Sequence, residues 1–426
     1  MVSQFIENKN RELKREYTNN ILKTISAFAN YEGGVIIVGF DEVNNQIVGV
    51  ENYVNVKLNI ENTINDTITP RPRYEINVLL EEGKYMLEIV VHPGKNKPYL
   101  YRGVAYQRND TSTVPVDQMS LVELSLRGRN FSYDQLESEE QKLNFNILEK
   151  KLEIAKKTTT LDENVLKTLE LYDGEKYNVA AQLLADKNKL DSTGIDIVRL
   201  GSNISQFVDR LTITKESILI QYDKALEMFL KHYPEIDVIE GFERVKKQPI
   251  PYEAFREAIA NAIAHRNYLI NAYIKVEMYD NRVEIISPGG LPRGITKEDY
   301  LKDNLSISRN AVVSNVLHTL KIIERFGTGI KRINDAYFDY DVKPIYIIKD
   351  TFIKIILPNV LFSDKNMKDE NRVLNLMSIN VEIKRQDVEN LLDITKAKAI
   401  ELLNELINKR LIESHGSGKN TVYRKL

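Results

Sequence analysis

The spacing of apolar residues changes from helical to strand-like within the first forty positions. Apolar residues recur at helical spacing from Ile21 to Phe28, and the apolar run VIIVGF follows Gly33 and Gly34. This order predicts a helix, a glycine turn and a buried strand. Asn44 and Asn45 predict a hairpin turn, and the later runs INVLL and MLEIVV predict further strands. The beginning of the chain is therefore predicted to be an α/β unit.

The pattern changes again after this unit. Residues 131–200 are rich in Glu, Lys, Asn and Gln with helical periodicity and scattered strand signals, which predicts a helical connector. Beyond it, the strands YIKVEMY, RVEII and FIKIILP accompany the helix EAFREAIANAIAH and another helix near residues 312–320. These elements predict a second α/β unit. The polar stretch SDKNMKDE that follows predicts a linker.

The end of the chain has the pattern of a small separate domain. Helices are predicted over Arg372–Ser378 and Arg385–Leu392, and Thr395 is the predicted N-cap of a third helix that ends near Lys409. The last segment, LIESHGSGKNTVYRKL, reads as a strand, a glycine turn and a second strand. Three helices followed by a hairpin is the order of a winged helix-turn-helix.

Composition narrows the class of protein. The 426 residues are 42% hydrophobic and 28% charged, as in soluble globular proteins. Residues 1–14 are polar and no apolar run is long enough to cross a bilayer, so we expect no signal peptide and a cytoplasmic location. The absence of Cys excludes disulfides, thiolate zinc sites and a Cys nucleophile. The net charge of −2 means that any nucleic-acid binding depends on local patches.

One predicted helix carries a row of polar side chains. Glu257, Asn261 and His265 are spaced by four, so they share one helical face, whereas Ile259 and Ile263 lie elsewhere and can face a core. One interpretation is a solvent-exposed polar face. The other is a functional row, because two glycine-rich turns follow, ISPGGLPRGI and GTGIKRI, and the second can leave amide groups free to hold an anion.

The segments REAIANAIAHRNY, DNRVEIISPGGLP, ISRN and IERFGTGIKRI resemble the GHKL nucleotide-binding superfamily, in its divergent RecG-like branch. The resemblance implies ATP and Mg²⁺ as cofactors, with Mg²⁺ on Asn261 and the attacking water oriented or deprotonated by Glu257. It also implies a close approach of the glycine turns to the nucleotide. The further residues implied are Gly289 and Gly290 near the base, and Gly327, Thr328 and Gly329 near the phosphates.

One position departs from the superfamily pattern. Many members have an Asp before the first glycine-rich turn, whereas this chain has Ser287 there, and an uncharged hydroxyl is a weaker acceptor for the adenine amino group. This favours nucleotide binding over rapid hydrolysis. His265 and Arg266 close the same motif, and we expect them to cap the helix or to contact phosphate.

The N-terminal segments ENKNRELK and SAFANYEGGVIIVGFDE resemble a Schlafen AlbA-type domain. The resemblance implies a nucleic-acid-binding α/β fold, in which Lys14 is a candidate contact. In animal relatives a related module cleaves RNA through a carboxylate-bound metal, which by motif implies Glu7, Glu12 and Asp41 here. Alternatively, Glu12 pairs with Lys14 or Arg15 and Asp41 only starts the hairpin.

The C-terminal segment HGSGKNT is not a phosphate-binding P-loop, since Asn420 stands where Ser or Thr should follow the Lys. A winged helix would place the start of its third helix in the DNA major groove. A winged helix that serves only protein contacts remains the alternative. The candidate nucleic-acid contacts are Thr395, Lys396 and Lys398 on the helix, and Lys419 and Arg424 on the wing.

The predicted fold class is multidomain α/β. Three functions stay open. The first is an ATP-responsive nucleic-acid-binding regulator that is a homo-oligomer, with DNA favoured over RNA as its partner. The second is a metal-dependent nuclease of Schlafen type that is gated by nucleotide, with phage defence as one setting. The third is an inactive interaction scaffold. The predicted domains are an AlbA-type domain (1–130), a helical connector (131–200), a GHKL-like ATP-binding domain (201–363) and a winged helix (369–426).

Overall fold

The computed structural model places helices and strands along almost the whole chain. Among the residues it describes, no helix is both long and apolar enough to cross a bilayer. The described residues are 5–156, 160–191, 193–201, 207–240, 243–292, 295–302, 308–324, 328–362, 369–379, 382–392, 394–416, 418 and 421–425.

The N-terminal unit contains two four-stranded sheets in its described residues. Its elements are β1 (Arg11–Lys14), α1 (Ile21–Asn30), β2 (Gly34–Val38), β3 (Phe40–Asp41), β4 (Gln46–Ile47), α2 (Tyr53–Thr67), β5 (Ile68–Thr69), β6 (Tyr74–Glu81), β7 (Lys84–Val91), β8 (Leu100–Tyr101), β9 (Val104–Asn109), β10 (Ser112–Pro115) and α3 (Gln118–Gly128). The first sheet has the order β1-β2-β7-β6, in which only β1 and β2 are parallel. The second has the antiparallel order β10-β9-β8-β5, and β3 and β4 form the predicted hairpin.

The stretch AFAN-x-x-GG explains how α1 is held and how the chain turns into β2. Asn30 is fully buried and donates from its amide to the carbonyl of Tyr99 at 2.9 Å, while it accepts from the Tyr99 amide at 2.7 Å. Gly33 has a φ of +81°, and a Cβ there would lie 2.7 Å from the carbonyl of Val91. Only glycine fits this turn without strain.

The middle of the chain forms a six-stranded sheet with helices. Its elements are a 3-10 helix (Tyr133–Gln135), α4 (Asn146–Lys156), α5 (Glu163–Thr168), α6 (Val179–Leu184), β11 (Gly194–Leu200), β12 (Phe207–Thr214), α7 (Ile218–His232), β13 (Ile236–Glu240), β14 (Glu243–Lys247), α8 (Tyr252–His265), β15 (Ile274–Met278), β16 (Arg282–Pro288), α9 (Lys297–Lys302), α10 (Ala311–Thr319), α11 (Gly329–Asp335), β17 (Ile345–Ile348) and β18 (Phe352–Pro358). The strand order is β12-β11-β15-β16-β18-β17, with β11 and β15 parallel. Although the sequence pattern placed β11 in the connector, it pairs inside this sheet.

The connector helices share the apolar core of that sheet. Leu152 of α4, Leu166 of α5 and Leu183 of α6 pack in one cluster with Ile197 of β11 and Phe255 of α8. Burial of apolar area is the main favourable term in folding, so these helices and the sheet stabilise each other. In structural terms the connector is therefore part of the second α/β unit.

A buried carboxylate adds a polar link between the same parts. Asp134 of the 3-10 helix is fully buried and accepts from the backbone amide of Val313, in the first turn of α10, at 2.9 Å. Ser132 donates its hydroxyl to the same carboxylate. Burial raises the pKa of Asp134, although these hydrogen bonds oppose the rise.

The C-terminal elements follow in the predicted order, three helices and a hairpin. They form a separate core in which Val373, Val388 and Leu403 are fully buried. Thr395 precedes the third helix with an extended backbone, but its side chain makes no capping hydrogen bond. The elements are α12 (Asp369–Ile379), α13 (Arg385–Leu392), α14 (Lys396–Asn408), β19 (Ile412–His415) and β20 (Val422–Lys425).

Candidate functional site

Helix α8 carries the polar row into the interior of the second unit. Its remaining faces bury alanine and isoleucine, and it packs against α7, α11 and β16. Glu257 is only 3% exposed, and Asn261 and His265 are half-buried. The row is therefore not a solvent-exposed polar face.

Glu257 is the most unusual side chain of this row. Among the described residues, its Oε2 atom is buried and has no hydrogen-bond partner. Burial raises the pKa of Glu257, and the Arg332 and Arg256 guanidinium groups oppose that rise. Buried polar groups in folded proteins are nearly always paired, so this oxygen requires an explanation.

The second glycine-rich segment reaches this row, as the sequence predicts. A Cβ at Gly329, the first residue of α11, would lie 2.6 Å from Nδ2 of Asn261 and 2.7 Å from Oε1 of Glu257. The backbone of Gly329 therefore touches both side chains, and Thr328 directly precedes it. The contact leaves no space for a side chain at position 329. Gly327 lies outside the described residues.

The first glycine-rich turn is filled by protein groups instead of being open to a base. Gly289 has a φ of +97°, and a Cβ there would lie 2.5 Å from a guanidinium nitrogen of Arg309. The Gly290 amide donates to the carbonyl of Asp350 at 3.1 Å, and a Cβ would lie 2.5 Å from the carbonyl of Lys349. The expected approach of this turn to a base is thus not present in the structure.

Ser287 lies at the end of β16, where we expected an acceptor for an adenine amino group. Its hydroxyl donates to the backbone carbonyl of Ala262 in α8 at 3.0 Å. The side chain is also only 9% exposed. The structure therefore gives Ser287 a role in joining β16 to α8.

His265 and Arg266 do not supply positive charge for a phosphate in this structure. Arg266 is 1% exposed, donates to the carbonyl of Ala272 at 2.6 Å and lies 4.7 Å from the ring centre of Tyr268. Burial, followed by the neighbouring Arg309 guanidinium, lowers the pKa of His265 to about 4. At neutral pH the imidazole is therefore uncharged.

Two neighbours of the row come from the ISRN segment, whose individual roles the sequence did not reveal. Asn310 is fully buried and donates to the carbonyls of Ala264 and Arg266, so it caps the end of α8. Arg309 donates to the carbonyl of Gly290 at 3.0 Å. Two consecutive residues thus hold the site together: Arg309 binds the first glycine-rich turn, and Asn310 binds the end of α8.

Helix α3 of the N-terminal unit touches this end of α8. Glu123 accepts from the side-chain amide of Asn267 at 2.9 Å. Burial lowers the pKa of Arg309, while Glu123 opposes and Arg127 adds to that change. The last helix of the N-terminal unit is therefore in contact with residues that hold the first glycine-rich turn.

The carboxylates predicted for a nuclease are paired with cations, and Arg108 contacts both Glu7 and Glu12. Glu12 is 5% exposed and contacts Lys14 at 2.9 Å, the Thr24 hydroxyl at 2.9 Å and the Arg108 guanidinium. The Glu12 carboxylate is therefore compensated by two cations and a hydroxyl of the fold itself. Lys14 is engaged in the same contact, which reduces its availability to nucleic acid.

Glu7 and Asp41 are the other two carboxylates predicted for a nuclease. Asp41 accepts from Asn44 in its own hairpin and pairs with Arg15 at 3.0 Å, and its hydrogen bonds with Asn44 lower its pKa. Burial, followed by a hydrogen bond with Glu42, raises the pKa of Glu7. No group of three or more metal-ligating side chains occurs among the described residues. Nuclease activity stays a prediction, and this geometry does not favour it.

The C-terminal candidates are exposed at the start of α14. Thr395, Lys396 and Lys398 are exposed, and neither lysine forms a salt bridge within the described residues, whereas Arg424 of β20 pairs with Glu382. Lys419 lies outside the described residues.

Two solved structures are similar to this chain at low sequence identity. The crystal structure of the DIP2311 protein from Corynebacterium diphtheriae is 20% identical with a TM-score of 0.49, and the match covers 98% of this chain and 92% of that chain. The solution NMR structure of the N-terminal domain of a putative ATP-dependent DNA helicase RecG-related protein from Nitrosomonas europaea is 22% identical with a TM-score of 0.21, covering 26% of this chain and 85% of that chain. No curated protein matches the chain.

Two family models match separate parts of the chain. Residues 3–117 match the family described as Schlafen, AlbA_2. Residues 271–357 match the family described as Putative ATP-dependent DNA helicase recG C-terminal, so α8 lies before the matched segment. The chain therefore carries a Schlafen AlbA_2-type domain and a recG C-terminal-type ATPase-like domain, which confirms both resemblances and connects the chain with nucleic acid and ATP.

Proposed function

We propose that the chain is a cytoplasmic, ATP-responsive regulator that binds DNA. The observation that carries this proposal is the buried, unpartnered Oε2 atom of Glu257, one helical turn from Asn261. Strained or unpaired ionisable groups with raised pKa values cluster at functional sites. A ligand that supplies the missing partner explains why the chain tolerates this group.

The residues present fit a magnesium-bound nucleotide. The side-chain oxygen of Asn261 is a hard ligand of the kind Mg²⁺ prefers, and the metal when bound would neutralise phosphate charge. Glu257 would hold the attacking water and accept its proton, because burial raises its pKa toward the working pH of a general base. The absence of a side chain at Gly329 lets the backbone amide approach the same place.

Nucleotide entry requires movement at the start of α11. Gly329 touches Glu257 and Asn261, so the nucleotide must displace it or select a state in which it has moved away. The contacts of Gly329 with the polar row of α8 would then change. Since α8, Arg309 and α3 are connected, that change has a physical route to the N-terminal unit.

We assign DNA contact first to the C-terminal domain, as a winged helix. The order of elements supports this assignment, and so does the hydrogen-bonded pairing of Ile383 with Tyr423 beside the hairpin. Lys396 and Lys398 lie at the start of α14, the end that enters the major groove in such domains. The exposed Glu401 on the same helix reduces the local positive charge. A homodimer would compensate through avidity.

DNA retention on a filter, measured with and without ATP and Mg²⁺, tests this proposal. Wild type should show a several-fold change on addition of ATP, and Asn261→Ala should show none. Asn164→Ala, an exposed asparagine of α5, is the matched control and should behave as wild type. Lys396→Ala plus Lys398→Ala should weaken retention in both conditions. Identical ATP responses in wild type and Asn261→Ala would contradict the nucleotide role.

A further inference from the structure

Helix α3 is packed against the N-terminal unit on one of its sides. Leu124, in the middle of the helix, is only 2% exposed. A Cβ at Gly128 would collide with the carbonyl of Lys97, so the last turn of α3 lies directly on the chain between β7 and β8. That chain is in turn tied to α1, because the Gly94 amide donates to the carbonyl of Ala29 at 2.8 Å. The N-terminal unit therefore fixes the position of α3.

Another side of α3 contacts Asn267, which follows the end of α8. Asn267 is 5% exposed, and its side-chain amide donates to the carboxylate of Glu123 at 2.9 Å. Its backbone amide donates to the carbonyl of Pro288 at 2.8 Å. A Cβ at Gly289 would lie 2.6 Å from the Cβ of Asn267, so this side chain lies directly on the first glycine-rich turn. A carboxylate of the N-terminal unit thus holds a residue that covers this turn.

Arg309 covers the same turn with its guanidinium group. One of its nitrogens lies 2.5 Å from the position of a Cβ at Gly289, and the other terminal nitrogen donates to the carbonyl of Gly290 at 3.0 Å. The first of these nitrogens is buried and has no hydrogen-bond partner among the described residues. Burial lowers the pKa of Arg309, and the nearby Glu123 carboxylate opposes that change. We call Glu123, Asn267 and Arg309 the α3 latch.

The α3 latch stabilises a state in which the first glycine-rich turn is covered. A nucleotide base that approaches Gly289 and Gly290 must displace the side chain of Asn267 or of Arg309. Asn267 cannot move away and keep its hydrogen bond with Glu123, and hydrogen bonds to a charged acceptor are stronger than those between neutral groups. The apparent affinity for a ligand falls in proportion to the fraction of molecules that are competent to bind it. The latch therefore opposes binding at this turn.

We propose that the α3 latch is an autoinhibitory contact, through which the N-terminal unit lowers the affinity of the ATP site for nucleotide. The inference rests on the proposed function, because it names the regulation of that same site. Coupling between two sites is reciprocal, so nucleotide binding weakens the contact of Asn267 with α3 by the same factor. Glu123 and Asn267 lie outside the matched segments 3–117 and 271–357, so neither family model includes their hydrogen bond.

Isothermal titration of the full chain with ATP and Mg²⁺ tests the inference. Glu123→Ala removes the charged acceptor of the latch and should bind ATP about tenfold more tightly than wild type. Asn267→Ala should also bind more tightly, and the double variant should gain little beyond either single one, because both changes break one contact. Glu153→Ala removes the same charge from an exposed position of α4 and should bind as wild type. Thermal unfolding should show that each variant is folded.

An equal or weaker affinity in Glu123→Ala, with normal ATP binding by wild type, would overturn this inference alone. No ATP binding by wild type would overturn the proposed function together with it.

Hydrogen exchange of the wild-type chain gives a second test that needs no altered latch. Because nucleotide binding weakens the latch, ATP and Mg²⁺ should speed exchange of the backbone amides of α3 several-fold. Asn261→Ala should show no such change, since it lacks the side chain that we assign to Mg²⁺. Unchanged or slower exchange in α3, under conditions where the heat of titration shows that nucleotide is bound, would overturn the autoinhibitory role.

Discussion

Two buried glutamates of this chain occupy opposite electrostatic situations. Glu12, in the N-terminal unit, is 5% exposed and contacts Lys14, Arg108 and the Thr24 hydroxyl. Glu257, in α8, is 3% exposed, yet its Oε2 atom has no hydrogen-bond partner among the described residues. The two side chains are similarly buried, but the fold supplies partners for the Glu12 carboxylate and leaves one oxygen of Glu257 without a hydrogen bond.

This difference separates a structural carboxylate from a functional candidate. Burying a charged side chain costs desolvation energy, which an oppositely charged partner offsets. Removing the partner leaves an uncompensated buried charge. Glu12 has that compensation within the fold. Glu257 does not, so the fold carries a cost that ligand binding can offset.

The largest effect should follow from Glu12→Ala. The Arg108 side chain is 4% exposed and would lose its main carboxylate partner, which costs about 3 to 5 kcal/mol of unfolding free energy. Calorimetric unfolding of the full chain should show a strongly lowered transition for the N-terminal unit. A cost below about 1 kcal/mol would show that the pair is not structural.

A smaller loss should follow from Gly329→Ala, because the new methyl group would collide with Asn261 and Glu257. Overpacking of this kind costs about 1 to 3 kcal/mol. Asn261→Ala should relieve part of the collision, so the double variant should lose less stability than the sum of the single ones. Strict additivity in chemical unfolding would contradict the contact between α11 and α8.

Glu257→Gln should stabilise the chain at high pH. A raised folded pKa means that the protonated carboxyl is the favoured form, so its contribution is present below the ordinary pKa of 4.5 and is lost as pH rises through the folded value. A glutamine side chain does not ionise, so the variant keeps this stability as pH rises. The difference in melting temperature between variant and wild type should grow from pH 5 to pH 8. Glu153→Gln, an exposed position on α4, should show no such trend.

The smallest effect should follow from Arg15→Ala. The Arg15 side chain is 68% exposed, and Asp41 keeps its hydrogen bonds with Val43 and Asn44. Exposed pairs of this kind contribute about 0 to 1 kcal/mol. A change in melting temperature comparable with that of Glu12→Ala would show that the exposed Arg15–Asp41 pair stabilises the fold as much as the buried Arg108–Glu12 pair.

Local patterns allowed much of the fold to be predicted. The helix, glycine turn and strand from Ile21 to Val38 follow from residue spacing, and so does the helix that carries Glu257. The three helices and hairpin at the end also follow the pattern. In each case the signal lies within a few residues of the element, which is where periodicity and turn residues act.

The partners of the site residues could not be predicted in the same way. Arg108 meets Glu12 across 96 positions, and β11 pairs in parallel with β15 far along the chain. Burial of Glu257 also depends on α11, which comes some seventy residues later. Such contacts are properties of tertiary packing, so residue spacing indicates the candidate row but not what surrounds it.

Isothermal titration of the full chain with ATP and Mg²⁺ tests the central claim most directly. Wild type should bind ATP with measurable heat. Asn261→Ala should lose the part of this heat that depends on Mg²⁺. Glu257→Gln should keep nucleotide binding and lose any ATP hydrolysis. The absence of heat for wild type with ATP and Mg²⁺ would contradict the account.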